Sequence, residues 1–200
     1  ASKPAGVNSD ENTHSAFSML SWARSRAGGG AETALVHRLD NQTSGLVILA
    51  KDPDSAAALE DAFRRRRVEK RYECLVRGTP RPEAGVFTAW LAKDARAARV
   101  IVSKEERPGA KEIVTGYRTM QAGEVSRLSV TLQTGRTHQI RAHLAFLGHP
   151  VLGDDLYGDR AFNRANKARW LKLCAVELAF PDGSGVEWLS GRRFAVVAPF

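Results

Sequence analysis

The sequence predicts an α+β fold in which a mixed, mainly antiparallel central sheet is flanked by helices. Three observations favour this class. Residues 126–133 alternate apolar and polar side chains, which is typical of an antiparallel strand with one face in water. Residues 55–66 repeat apolar side chains at helical spacing. The predicted strands and helices also follow one another without the regular alternation that a parallel sheet requires.

Helix and strand signals place the other elements. Asp52 followed by Pro53 predicts a helix start, with the carboxylate as N-cap and proline in the first turn. Further helices are expected at residues 15–24 and 137–147, and Gly28-Gly29-Gly30 is expected to form a loop. Strands are expected at residues 70–77, 99–103, 113–118, 171–180 and 188–197.

Composition limits the class of protein. The chain has 200 residues, of which 43% are hydrophobic and 26% are charged, as in an ordinary soluble domain. No apolar run approaches the ~20 residues of a membrane span, and no signal peptide is visible. Cys74 and Cys174 are isolated, which argues against a disulfide framework or a zinc cluster. We therefore expect a cytoplasmic protein without membrane association.

Charge indicates the kind of partner. The formal net charge is +8 and the pI is about 9.9, which favours a polyanionic partner such as nucleic acid or an anionic membrane surface. The basic residues are concentrated in two runs. Arg64-Arg65-Arg66-Arg67 is followed by Lys70, and a second run covers residues 160–172. A solvated helix face could explain either run, but two runs in one small domain favour contacts with phosphates.

One carboxylate stands out along the chain. Asp40 lies in a polar segment between two apolar stretches, where a rigid scaffold can aim a reactive group. The same residue types also form ordinary turns, and the segment alone favours that simpler interpretation.

Comparison with known catalytic sequence patterns excludes several kinds of site. His138 and His143 are five residues apart, which does not match the spacing of a helical zinc site. Ser44 lacks the glycine-flanked setting of a hydrolase nucleophile, and no phosphate-binding loop or dinucleotide fingerprint is present. The reactive groups that remain as candidates are a carboxylate, a phenol and a guanidinium, and each lies on a separate element of the predicted fold. An arginine can keep a carboxylate ionised, and a tyrosine can stack on a base and exchange a proton. This set suits chemistry on a nucleobase or its glycosidic bond.

Several segments together resemble the RluA-like family of RNA pseudouridine synthases. The resemblance spans nearly the whole chain in order and spacing, and it lies in Lys3-Pro4-Ala5-Gly6, His37-Arg38-Leu39-Asp40, Thr43-Ser44-Gly45, Lys70-Arg71-Tyr72, Gly135-Arg136-Thr137-His138-Gln139-Ile140-Arg141, Gly148-His149-Pro150, Gly153-Asp154 and Tyr157-Gly158.

The resemblance implies roles for individual residues. Asp40 would be the catalytic aspartate, Tyr72 would stack on the target base, and Arg141 would pair with Asp40. The reaction would convert uridine to pseudouridine within an RNA chain, with neither cofactor nor metal. The residues implied in binding the substrate RNA are Arg38, Thr43, Arg64, Arg65, Arg66, Arg67, Lys70, Arg136, His138, Gln139 and Ile140.

Family frequency makes large-subunit ribosomal RNA the first expected substrate and tRNA the second. We expect residues 1–200 to form a single catalytic domain that acts as a monomer. Members of the family usually carry residues before the Lys3-Pro4-Ala5-Gly6 motif, including a strand and often a small RNA-binding domain, and we expect both to be missing here. Residues 7–10 also lack the apolar continuation and His-Pro pair that usually follow that motif.

Two other functions compete with this one. A non-catalytic RNA-binding module could share the fold, but it would be expected to lose Asp40, Tyr72 or Arg141, and all three are present. A metal-dependent nuclease could use Asp154 and Asp155. We expect those two carboxylates to order their loop instead.

Overall fold

The computed structural model describes residues 1–11, 17–26 and 32–200. Its strands are β1 (Ser2–Lys3), β2 (Ala34–Leu35), β3 (Ser44–Leu46), β4 (Leu49–Ala50), β5 (Glu69–Arg77), β6 (Ala84–Asp94), β7 (Arg99–Ser103), β8 (Lys111–Gln121), β9 (Val125–Leu132), β10 (Leu173–Ala179) and β11 (Arg193–Ala195). Its helices are α1 (Met19–Arg26), α2 (Pro53–Arg64), α3 (Gln139–Phe146) and α4 (Arg160–Ala165), with a 3-10 turn at Glu187–Leu189. Within these described ranges, no helix has both the length and the apolar character needed to cross a membrane.

The chain divides into two compact units. The first comprises Ala1–Lys70 with Cys174–Pro199, and the second comprises Arg71–Leu173 with Phe200. In the first unit, β3 pairs antiparallel with β1 and parallel with β10, and β10 pairs antiparallel with β11. The short strands β2 and β4 form a separate antiparallel ribbon. The segment that contains Asp40 therefore runs between this ribbon and the inner strand β3.

In the second unit, all strand pairs are antiparallel and follow the order β5-β9-β8-β6-β7. Tyr72 of β5 lies opposite Val130 of β9. The side chains of Tyr72, Cys74 and Val76 are buried, as the alternation in the sequence predicts. Helix α3 packs against β7 and β8 through a small core that includes Ala142, Ile113 and Val100.

Helix α2 supplies one wall of the core of the first unit. Ala56, Leu59 and Ala62 are buried and pack with Val36 and Phe180. Its start is as predicted, because the Asp52 carboxylate accepts a hydrogen bond of 2.7 Å from the Ser55 N–H and proline occupies the first turn.

Gly45 allows β3 and β10 to approach closely. Its φ is +111°, and a Cβ at this position would lie 2.2 Å from the carbonyl oxygen of Ala175. Any side chain at this position would therefore clash with the backbone of the neighbouring strand. It would also have to adopt an unfavourable φ.

Gly45→Ala is expected to lower the free energy of unfolding by roughly 3 kcal/mol, which combines overpacking with dihedral strain. Gly109→Ala is the matched control, because Gly109 also has a positive φ, +76°, but nothing lies within 4 Å of an added Cβ. The control should lose about 1 kcal/mol. Denaturant titration of both variants measures the difference, and equal losses would contradict the role given to the close strand contact.

The predicted α+β class with a mainly antiparallel sheet is confirmed, and the differences lie in individual elements. Strand β6 was not predicted, since its sequence mixes small and polar residues and Val86 is exposed. The expected strand at 188–197 is confirmed only in part, because this stretch holds the end of a 3-10 turn and the three residues of β11. The first expected helix runs from Met19 to Arg26, and Gly28-Gly29-Gly30 lies outside the described residues.

Candidate active site

The Asp40 carboxylate projects from a tight turn in the first unit. The Thr43 N–H donates a hydrogen bond of 3.0 Å to the Asp40 carbonyl oxygen. Asp40 itself is partly buried, and Leu39 and Thr43 on either side of it are buried. The carboxylate is therefore held by a backbone that has little freedom to move.

The N-terminal segment fastens this turn. Ser9 Oγ accepts a hydrogen bond from the Leu39 N–H at 3.0 Å and donates one to the Leu39 carbonyl oxygen at 2.9 Å. Asn41 donates from Nδ2 to the Gly6 carbonyl oxygen and to Asn8 Oδ1, while its own carbonyl oxygen accepts from the Gly6 N–H. The turn is thus fixed by residues that are 30 to 35 positions away in sequence.

Lys3 is the charged member of this arrangement. Its side chain is buried, and Nζ donates to the carbonyl oxygens of Pro4, Val7 and Asn41 at 3.1, 2.7 and 2.8 Å. Burial lowers the pKa of the Lys3 ammonium to about 8, and the nearby charge of Asp40 acts in the opposite direction. A buried ammonium group with three hydrogen bonds therefore lies within the electrostatic influence of Asp40.

His37 supports the same turn as a neutral side chain. Its Nε2 accepts a hydrogen bond of 3.0 Å from the Ile48 N–H, and its ring stacks on Phe63 with centroids 4.4 Å apart. Burial and the charge of Lys70 lower the pKa of His37 to about 3. The imidazole therefore acts as a hydrogen-bond acceptor and a packing group at neutral pH.

Among the other predicted residues of the first unit, Arg38 is exposed and Thr43 is buried. Within the described part of the chain, the hydroxyl of Thr43 has no hydrogen-bond partner. Arg64, Arg65, Arg66 and Arg67 are all exposed at the end of α2. Lys70 is partly buried, and burial followed by the charge of Arg66 lowers its pKa.

Arg141 lies at the centre of a second cluster, in the second unit. Its Nε and Nη2 donate to the two carboxylate oxygens of Asp154 at 2.7 and 2.9 Å, and Nη2 also lies 3.4 Å from Asp155 Oδ1. The side chains of Arg141 and Asp154 are 5% and 0% exposed. This is a buried, two-point pair that fixes the plane of the guanidinium.

Asp154 also orders the loop that carries it, as the sequence predicted. Its Oδ1 accepts from the N–H groups of Leu156 and Tyr157, both at 2.9 Å. Burial raises the pKa of the Asp154 carboxyl. The hydrogen bonds and charge of Arg141 and the two N–H groups lower this pKa by more than burial raises it, so the pKa lies below its ordinary value. Asp154 is therefore ionised when it holds Arg141.

Tyr157 covers the face of this pair. The Arg141 guanidinium lies over its ring, 5.3 Å from the centroid. Its hydroxyl accepts a hydrogen bond of 2.9 Å from the Val100 N–H of β7 and lies 3.0 Å from Nδ1 of His138. His138 has a left-handed φ of 54° at the start of α3. Arg141 is thereby connected to both the sheet and the helix start.

Gln139 anchors the N-terminus of α3 to β8. Its Oε1 accepts from Thr134 Oγ1 and from the Arg136 N–H, while Nε2 donates to the Val114 carbonyl oxygen and to Thr115 Oγ1. The side chain is buried, as is Ile140 beside it, whereas Arg136 is exposed. These bonds give Gln139 a structural role in addition to its predicted RNA contact, which stays a prediction.

The two histidines of this region differ. His143 is fully buried, with Nδ1 3.0 Å from Thr115 Oγ1, and burial lowers its pKa to about 4. Its Nε2 has no hydrogen-bond partner among the described residues.

The predicted site residues thus form two ordered groups, one around Asp40 and one around Arg141. Tyr72 belongs to the second unit and is 8% exposed on β5. Sequence reasoning assigned no role to Lys3, Ser9 or His37, and it did not identify Asp154 as a partner of Arg141. Lys3, His37 and Asp154 all lay in segments that carried the family resemblance, which was the available signal. The pairing of Asp40 with Arg141 stays a prediction.

Comparison with known proteins decides the family. Residues 1–146 match the RNA pseudouridylate synthase family. The chain belongs to this family.

Two relatives and one solved structure show how far the likeness extends. A protein of Chloroflexus aurantiacus named as an uncharacterized RNA pseudouridine synthase is 39% identical over 156 residues, which are 77% of this chain and 48% of that protein. Ribosomal large subunit pseudouridine synthase C of Rickettsia conorii is 32% identical over 190 residues, which are 92% of this chain and 62% of that protein. The structure of human RNA pseudouridylate synthase domain containing 1 superposes with a TM-score of 0.80 at 26% identity, covering 99% of this chain and 78% of that one. This member of the family therefore spans about half of the first relative's length.

Proposed function

We propose that this chain isomerises uridine to pseudouridine within RNA. The bond between N1 of uracil and C1′ of the ribose breaks, the uracil turns, and C5 bonds to C1′. The C5 proton is released and N1 regains a proton, so the product has the composition of the substrate. The proposal rests on one combined observation. The chain belongs to the pseudouridylate synthase family, and its Asp40 lies on a turn that hydrogen bonds hold in place.

The proposed roles are those that the family resemblance implies, and each agrees with the chemistry of its group. Asp40 acts on the ribose, either by attacking C1′ or by removing a sugar proton. Lys3 supplies a buried positive charge in the same unit, and the charge of Asp40 raises the pKa of its ammonium group against the larger effect of burial. As the resemblance implies, Tyr72 is proposed to stack on the base and Arg141, whose guanidinium plane is fixed by Asp154, is proposed as the partner of Asp40.

The positive charge of the chain supports an RNA substrate. The target uridine must leave its stack to reach a carboxylate, which costs a few kcal/mol. Contacts between basic side chains and phosphates can offset that cost, and they make binding strongly dependent on salt. The formal net charge of +8 fits this requirement.

Large-subunit ribosomal RNA is the first substrate that we propose, and tRNA is the second. The name of the Rickettsia conorii relative supports this order. We further propose that the protein acts as a monomer in the cytoplasm.

Two measurements test the function. Purified chain is incubated with uridine-containing RNA transcripts, and pseudouridine is quantified after digestion to nucleosides. Pseudouridine is also mapped in cellular RNA with and without the gene, which identifies the modified site. RNA binding without any pseudouridine formation on ribosomal or transfer RNA would favour a non-catalytic RNA-binding module instead.

Tyr72→Phe is expected to keep base stacking but to slow turnover, because the ring remains and the hydroxyl that can transfer a proton is lost. A decrease of roughly 10²-fold or more in kcat, with KM nearly unchanged, would fit a proton-transfer role. Single-turnover kinetics at saturating RNA measure this. If Tyr72→Phe matches the parent rate, Tyr72 keeps the stacking role alone, and Tyr72→Ala should then raise KM.

A further inference from the structure

A second basic surface lies outside the two groups of site residues. Residues 160–172, here called the basic segment, contain five cations and no acidic residue. The five are Arg160, Arg164, Lys167, Arg169 and Lys172. All but the last are exposed, and over the described ranges none of them lies within ion-pair distance of a carboxylate. Their positive charge is therefore available to a partner.

The arginine run at the end of α2 differs in this respect. Arg64 and Arg65 both pair with the carboxylate of Asp61. Part of their charge is therefore neutralised within the helix, as expected for side chains three and four positions apart. Of the two basic runs, the basic segment therefore retains more of its positive charge.

An exposed aromatic ring accompanies these cations. Trp170 is 55% exposed and directly follows Arg169 in the chain. Single-stranded nucleic acids are commonly bound by aromatic rings on which bases stack, next to cations that contact the phosphates. Helix α4 has no buried residue, and its six positions are too few to form a broad apolar face, so an amphipathic membrane contact is not supported here.

The basic segment is firmly anchored. Asn163 Oδ1 accepts a hydrogen bond of 2.8 Å from the Gly153 N–H, and Nδ2 donates one of 2.9 Å to the Asp154 carbonyl oxygen. A Cβ on Gly153 would lie 2.0 Å from the Trp170 carbonyl oxygen, so the backbone at Trp170 is packed directly on this loop. The same loop carries the carboxylate that holds Arg141. A strand bound to the basic segment would thus have a fixed position relative to Arg141.

We propose that the basic segment binds single-stranded RNA that flanks the target uridine, with phosphates on Arg160, Arg164 and Lys167 and a base stacked on Trp170. This inference rests on the proposed function, since it extends the RNA contact beyond the reacting nucleotide. It gives the protein a second, sequence-tolerant contact with its substrate.

The first test removes the charges. The variant Arg160→Gln/Arg164→Gln/Lys167→Gln is titrated with a fluorescein-labelled, uridine-containing RNA hairpin with and without a single-stranded extension, over a series of salt concentrations. We expect weaker binding of the extended RNA, and a salt dependence whose slope is smaller by about 0.7 for each lost phosphate contact. The hairpin without extension should be affected less.

The control removes the same charge elsewhere in the second unit. Arg96→Gln/Lys104→Gln/Lys111→Gln replaces three exposed cations on other loops and strands. This variant should keep the salt slope and the preference for the extended RNA. An equal decrease in both triple variants would show that only net charge matters, and it would overturn the proposal.

The second test concerns the ring. Trp170→Ala should weaken binding of the extended RNA roughly five-fold or more, whereas Trp170→Phe should retain most of the affinity. Unchanged affinity in Trp170→Ala would overturn the stacking contact. Sedimentation with phosphatidylserine vesicles is measured in parallel, and a loss of vesicle binding without a loss of RNA binding would assign the surface to membranes.

The two proposals fail in different ways. Absence of pseudouridine formation by the parent chain contradicts the proposed function. Normal turnover by the parent, combined with unchanged RNA affinity in the charge-removal variant, contradicts only the role of the basic segment.

Discussion

Asp40→Asn is expected to abolish pseudouridine formation while leaving RNA affinity close to that of the parent. The amide has nearly the same size as the carboxylate but can neither attack C1′ nor accept a proton from the ribose. The turn should survive, because the hydrogen bonds that fasten it are made by the backbone of Leu39, Asp40 and Asn41 and by the Asn41 side chain. Nucleoside analysis after incubation with RNA measures turnover, and fluorescence titration measures binding.

The matched control for this change is Asp54→Asn, which replaces an exposed carboxylate in the first turn of α2. It should retain turnover. Pseudouridine formation by Asp40→Asn at the parent rate would refute the assignment of the catalytic aspartate. Loss of folding in Asp40→Asn, judged by its thermal unfolding, would shift the role of Asp40 towards structure, and Asp40→Glu would then be compared for recovery of stability without activity.

Asp154→Asn should produce the largest loss of stability. It would leave the buried guanidinium of Arg141 without its principal counter-charge, and breaking such a pair costs about 3–5 kcal/mol. Asp155→Asn is the control, because its carboxylate is 80% exposed and lies 3.4 Å from Arg141. That change should cost less than about 1 kcal/mol. Urea unfolding gives both values.

The double variant Arg141→Met/Asp154→Leu separates stability from function. Replacing both charges by apolar side chains of similar size should recover part of the lost stability, since no unpaired charge remains buried, although the Leu156 and Tyr157 N–H groups lose their acceptor. Turnover should stay low, because the proposed partner of Asp40 is gone. Recovery of both properties would contradict the proposed role of Arg141.

The dependence of folding stability on pH provides a further check on the pair of Arg141 and Asp154. The pKa of Asp154 is lowered in the folded protein, so the unfolded state binds the proton more readily. The pair therefore stabilises the fold fully above the ordinary carboxyl pKa of 3.8, and its contribution is lost as pH falls through the lower folded value. The difference in stability between the parent and Asp154→Asn should accordingly shrink below that pH.

Local sequence signals predicted much of the fold. The alternation in β5 and β9, and the cap and apolar spacing of α2, each specify a structure within one segment. Strand β6 escaped prediction because its stability comes from pairing with β7 and β8 rather than from a pattern within its own segment.

The sequence predicted individual residues of the candidate site but not the contacts between them. The family resemblance identified Asp40, Tyr72 and Arg141, whereas nothing in the spacing of residues indicated that Asp154 would hold Arg141 in two hydrogen bonds. The support of Asp40 by Lys3 and Ser9 also depends on the return of a distant segment. Contacts of this kind are set by tertiary packing, which a single sequence does not display.

The close approach of Gly45 to Ala175 has a consequence for biosynthesis. Strand β3, which follows Asp40, is translated well before β10, the strand that it packs against. In a nascent polypeptide β3 therefore lacks this neighbour until β10 has left the ribosomal tunnel, and pairings so distant in sequence form slowly. The packing of Gly45 on Ala175 should accordingly be one of the late steps in the folding of the first unit.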